Sequence, residues 1–187
     1  MEITETHYPK NRAEWRKWLK ENFKTKKEIW LIYYSKQSGK PRVPYNDAVE
    51  EALCFGWIDS TMKKIDEESF VQRFTPRKKG SQLSELNKER IRRLIKKKKM
   101  TKAGLSIVNH LLDDPKGNNK LKIAPDILKE LMKIKSAWKH FQKFPMSYKR
   151  IRIGWIEGGR KRPEIYQQRL RYFLKMTEKN KRFGMME

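Results

Sequence analysis

The sequence predicts an α+β protein, with a small antiparallel or mixed sheet flanked by helices in its first part and helices alone in its last part. Three observations predict this. Segments rich in β-branched and aromatic residues, "EIWLIYYSK" (Glu28 to Lys36), "WIDSTMKKID" and "SFVQRFTPR", read as strands. Segments whose apolar residues recur at i, i+3 and i+4 stand between and after them. Beyond "PKGNN" (Pro115 to Asn119), a cluster of turn formers, every segment reads as helical. That cluster places the expected domains at residues 1–115 and 120–187.

Asn11 precedes "RAEWRKWLKENF", where Trp15, Trp18, Leu19 and Phe23 share one face and Glu14 stands at the capping-box position. "EIWLIYYSK" is nearly continuous in apolar residues, which implies a strand buried on both faces. After the loop "SGKPRVP", Asn46 is expected to cap "DAVEEALCFG", with Ala48, Val49, Ala52 and Leu53 inward and Gly56 at the helix end. Asp66, Glu67 and Glu68 form the turn between the next two strands. "PRKKGS" is a basic loop, and a helix is expected over Leu83–Lys98. A shorter helix opened by Thr101 follows in "TKAGLSIVNHLLDD". The later helices are "PDILKELMKI", with Pro125 and Asp126 in its first turn, "SAWKHFQKF", "SYKRIRIGWIEGG" and "PEIYQQRLRYFLKMTEKN".

With 187 residues, 37% hydrophobic, the chain can bury one core or two small ones. Its net charge of +24 attracts polyanions: nucleic acid, anionic lipid or phosphorylated small molecules. The same charge also arises when Lys merely fills solvated faces. Cys54 is the one cysteine, so no internal disulfide forms, and its place in "ALCFGW" reads as core. "MEITETHYPK" lacks the apolar stretch of a signal peptide, and no segment approaches the ~18 apolar residues of a transmembrane span. A cytoplasmic protein is the expectation.

Most catalytic signatures are missing. His7, His110 and His140 are far apart and none stands at metal-ligand spacing, so no metal site is assigned. There is no phosphate-binding loop, dinucleotide fingerprint or nucleophile elbow, so no cofactor and no catalytic residue is assigned. Glu50 and Glu51 point about 100° apart on a helix and cannot act as a pair. Aromatic and basic residues interleave in "WKHFQKF" and "YKRIRIGW". Such spacing serves a helix core or offers stacking to single-stranded nucleic acid.

The constellation that calls for explanation lies between Cys54 and Ile95. On a helical wheel with Leu83 at zero, Leu94 falls near about 20°, Leu86 near about −60° and Ile91 near about 80°. Asn87, near about 40°, and Arg90, near about −20°, sit inside that apolar face. A buried guanidinium needs a partner, and Asp59 and Asp66 are the candidates. Ser81 and Ser84 stand at or before the helix start. There they either cap its N–H groups or leave them to an anion. Arg77, Lys78 and Lys79 enter from the preceding loop, where Gly80 permits close backbone approach. Two readings stand side by side. In one, Asn87 and Arg90 bridge helix to strand, Asp59 pairs with Arg90, and Ser84 caps. In the other, Arg73, Arg77 and Arg90 converge on an anion, with Asn87 and Ser84 as neutral donors.

These residues carry a resemblance. "EWRKWL", "EIWLIYY", "AVEEALCFGWIDS", "RFTPRKKGS", "LNKERIRRLI", "MTKAGL", "IAPDI", "SYKRIRIGWI" and "RKRPE" occur in order. Together they resemble the YdeI/OmpD-associated, or bacteriocin-protection, family over nearly the whole chain. The resemblance implies no reaction. It does place Trp57, Asp59, Arg73, Pro76, Arg77, Ser81, Ser84, Asn87 and Arg90 on positions of the family's motif. Leu83 stands where the family has an aromatic residue, and Ile165 and Tyr166 replace a threonine and an arginine.

Three functions are therefore carried forward. The first is a binding protein for an anionic small molecule or phosphate group, docked between the "RFTPRKKGS" loop and the following helix. Its ligand-binding residues would be Trp57, Asp59, Arg73, Arg77, Ser81, Ser84, Asn87 and Arg90. The second is a nucleic-acid-associated protein. The third is an enzyme on a phosphorylated or carboxylated metabolite, with Asp59 as general base.

Overall fold

The fold is α+β in a computed structural model that describes residues 2–78, 81–108, 112 and 121–184. The turn cluster at Pro115 to Asn119 lies outside the described residues, as do Lys79, Gly80, His110, Asp113 and Asp114. The chain divides into two units: residues 1–82 with 90–115, and residues 83–89 with 116–187.

The first unit is built on a mixed four-stranded sheet in the order β1 (Thr6–His7), β2 (Ile29–Tyr34), β4 (Ser69–Pro76), β3 (Trp57–Lys64). β1 runs parallel to β2; the other pairs are antiparallel. Ile29, Trp30, Leu31 and Tyr33 are all buried, so β2 is covered on both faces, as its apolar run requires. The register sets Ile29 and Asp59 beside Phe74, and Trp30 beside Arg73. Because faces alternate along a strand, Asp59 shares the face of Phe74 and Arg73 takes the opposite one. Between Asp59 and Met62 the register shifts, and Gln72 Nε2 donates to the Ser60 carbonyl there, at 3.1 Å.

Helix α1 (Arg12–Asn22) packs on the Phe74 face, with the Trp15 and Phe74 ring centres 5.4 Å apart. Its start is the predicted capping box. Asn11 accepts from the Glu14 N–H at 3.0 Å, and Glu14 accepts from the Lys10 N–H at 2.8 Å. Helix α2 (Tyr45–Cys54) differs from expectation at its start. Asn46 is not its cap; Pro44 occupies that position without a side-chain bond. A proline there already lacks an N–H and has its φ preset. The end is as expected, with Gly56 at φ +76.

Glu50 and Glu51 of α2 are buried. Arg12 reaches Asp47, Glu50 and Glu51, Arg16 reaches Glu51, and Arg93 reaches Glu50. Burial works against the Glu50 charge, but Arg93 and Arg12 outweigh it and hold the carboxyl below its ordinary range. Helix α3 spans Glu85–Lys96, two residues shorter at each end than predicted; Lys98 takes a left-handed φ of 53°. Thr101 does open helix α4 (Lys102–Val108), accepting from the Gly104 N–H and donating to the Cys54 carbonyl at 2.7 Å.

In the second unit, α5 (Pro125–Lys133), α6 (Lys135–Lys143), α7 (Met146–Glu157) and α8 (Pro163–Glu178) enclose a core. Ile127, Leu131, Phe141, Tyr148, Ile156 and Phe173 lie at its centre. No helix among the described residues is long and apolar enough to cross a membrane.

Candidate functional site

Asp59 opens from β3 toward α2, where the Tyr45 hydroxyl donates to its Oδ2 at 2.5 Å. Tyr45 starts α2, so the helix start and the strand are joined by one charged hydrogen bond. Burial and then this bond push the Tyr45 hydroxyl pKa well up. Tyr33, on the same sheet face, is buried and its hydroxyl has no partner among the described residues. Burial raises its pKa too, with Tyr45 and Asp59 adding to the effect.

Arg90 enters this region from α3. It is buried along with Ile91 and Leu94 of the same helix, as the wheel predicted. Its Nη2 donates to Asn46 Oδ1 at 2.7 Å, which gives Asn46 a role in place of the expected cap. Burial lowers the Arg90 pKa, and Tyr45, Glu50 and Asp59 oppose that shift. Asp66, the other expected partner, is exposed in the β3–β4 turn, where it accepts from the Glu68 N–H.

Arg77 is different. It is only 8% exposed, yet its Nη2 donates to neutral acceptors alone: the Ser81 carbonyl and hydroxyl at 3.0 Å each and the Gln82 carbonyl at 2.9 Å. Its Nε is sealed from solvent without a partner, and no carboxylate pairs with it among the described residues. Burial alone lowers its pKa. The arrangement is a cation with donors held in place and its charge uncompensated.

The other predicted residues are otherwise engaged. Arg73 bonds Glu28 through Nε at 2.8 Å and also through Nη2. Trp57 is core: its Nε1 donates to the Phe23 carbonyl at 3.2 Å and its ring meets Trp18 edge-on. In the second unit Ser84 caps α3, accepting from the Asn87 N–H at 3.3 Å, and Asn87 itself is half-buried. His7 stacks on Trp18, and His140 Nδ1 lies 3.1 Å from the Thr177 carbonyl. No trio of His, Cys, Asp or Glu among the described residues is gathered as metal ligands would be.

Residues 7–107, more than half the chain, match the model of the family described as Domain of unknown function (DUF8412). The chain belongs to the DUF8412 family. Residues 120–180 match a second family model, described as Bacteriocin-protection, YdeI or OmpD-Associated. No curated protein and no solved structure matched the chain.

The extent of the resemblance is therefore corrected. The YdeI/OmpD-associated match is confined to the last third, while the motif residues Trp57 to Arg90 fall in the DUF8412 part. Within that DUF8412 part, sequence reasoning missed Tyr45, Asn46 and Tyr33. Tyr33 had a usable signal, since strand alternation puts it on the face of Leu31. The Tyr45–Asp59 pair spans 14 residues with no periodicity to link them.

Proposed function

We propose that the DUF8412 portion binds an anionic small molecule or a phosphate group at the Arg77 loop. The observation that carries this reading is the buried Arg77 guanidinium, paired only with neutral acceptors. Leaving a charge unpaired in low dielectric is costly, and an oxyanion would supply the missing counter-charge. Ser81 would contribute its hydroxyl, and the exposed Lys78 would draw the ligand in. Residues 1–115 would form the binding domain, residues 120–187 a separate helical domain, and the cytoplasm would be the setting.

The test is calorimetric titration with inorganic phosphate. Binding to the native protein, loss of one bound phosphate in Arg77→Ala, and full retention in Lys63→Ala are the expected results. A number of bound phosphates that Arg77→Ala leaves unchanged overturns the proposal. The net charge of +24 favours a second reading, nucleic-acid association through the wider basic surface. That mode would weaken steeply as salt rises and would be indifferent to Arg77.

A further inference from the structure

A second buried arginine lies in the other unit. Arg152 of α7 is 5% exposed, and its Nε is sealed from solvent without an acceptor. It makes no hydrogen bond or ion pair with any described residue. Rings enclose it instead: its guanidinium carbon lies 4.7 Å from the Phe183 ring centre, 5.6 Å from Tyr148 and 5.8 Å from Trp155. Burial lowers its pKa, and Tyr148 provides the opposing influence.

Aromatic faces attract a guanidinium, but they satisfy none of its N–H donors, which point outward in the plane. The Tyr148 hydroxyl is likewise buried; the Phe183 backbone N–H lies near its oxygen, and its own O–H donates to no described residue. The cage thus leaves two kinds of donor, the Arg152 N–H groups and the Tyr148 O–H, without an acceptor of their own. An acceptor that also carries negative charge would satisfy both. Gly184, which is exposed and takes φ +82, borders the guanidinium. A Cβ there would stand 2.6 Å from Arg152 Nη1, so only glycine leaves room beside the terminal nitrogens. The exposed Arg182 adds positive charge at that edge, and Tyr172, 46% exposed, packs on Phe183.

We infer that Arg152, with the Tyr148 hydroxyl, forms a binding site for a single oxyanion group, entered beside Gly184. Carboxylate and phosphate share the required chemistry. The site is independent of Arg77.

The experiment follows the Arg152 Nε–H resonance by heteronuclear NMR on the full chain during separate titrations with acetate and inorganic phosphate. The expected result is a saturable shift of that resonance with at least one of them. Which anion saturates at lower concentration identifies the source. Tyr148→Phe keeps the ring and should weaken binding by about tenfold, the loss of one hydrogen bond to a charged group. Gly184→Ala should block the shift. Arg77→Ala should leave it unchanged, which separates this site from the one in the DUF8412 portion. In an Arg77→Ala background, Arg152→Lys, checked by circular dichroism, should remain folded without an anion-dependent rise in melting temperature. An Arg152 resonance unmoved by both anions in the native protein, or equal binding by Tyr148→Phe and Gly184→Ala, overturns the inference and leaves the cage a structural packing device.

Discussion

The Tyr45 hydroxyl and the Asp59 carboxylate are 2.5 Å apart, and the bond between them ties the first residue of α2 to β3. Tyr33 sits on the same sheet face with its hydroxyl unpaired. The two tyrosines therefore respond differently to deletion of the oxygen. Tyr45→Phe strands a half-buried carboxylate and should cost about 1–3 kcal/mol in urea unfolding. Tyr33→Phe removes an unsatisfied group and should be neutral or stabilising. Both hydroxyls have raised pKa values in the fold. Their contribution is complete below the unfolded tyrosine pKa of about 10 and is lost as pH rises above it. Stability should therefore fall in alkali, and less steeply in the double phenylalanine variant.

The Arg12 network is the most exposed to single substitutions. Arg12→Ala leaves Glu51, 1% exposed, and Glu50 each with one fewer cation. A loss of about 1–3 kcal/mol is expected by chemical denaturation, because Arg16 and Arg93 still face these carboxylates. The lowered Glu50 pKa adds an acid dependence: its stabilisation is present above the unfolded carboxyl pKa and is lost as pH falls below it. That part of the acid transition should shrink in Arg93→Ala.

Gly104 lets α4 approach the end of α2 directly. A Cβ there would collide with the carbonyl oxygen of Cys54, which is backbone and cannot step aside. Gly104→Ala should lower the melting temperature even though alanine favours helix, because the clash outweighs a propensity gain of about 1 kcal/mol. A variant as stable as the native protein would mean that α4 does not pack this closely.

Cys54 offers a check on burial. It is wholly buried, and burial with nearby Glu51 pushes its thiol up to about 11. Ellman's reagent at pH 8 should react slowly with the native protein and quickly in denaturant.

Arg77→Met separates binding from stability. The substitution removes an uncompensated charge while keeping much of the side-chain volume, so stability should change by less than about 1 kcal/mol. The phosphate-binding event that depends on Arg77 should be lost.

Much of the scaffold was legible along the chain because its signals are local. The Asn11–Glu14 cap, the near-continuous apolar run of β2, Gly56 at a left-handed φ and Pro125 in a first turn each need only near neighbours. Asn46 failed for an instructive reason. Its residue type suits a cap, yet Pro44 takes that place and leaves the carboxamide to Arg90, 44 residues away.

By itself the sequence determined the α+β class and the inward aim of Arg90, because 3.6-residue and 2-residue periods are properties of the chain. The tertiary structure decided what each buried charge meets. Glu28 reaches Arg73 across 45 residues, Asn46 reaches Arg90, and Arg77 and Arg152 lack a carboxylate among the described residues. Such pairings depend on distance and dielectric in three dimensions, and spacing along the chain fixes neither.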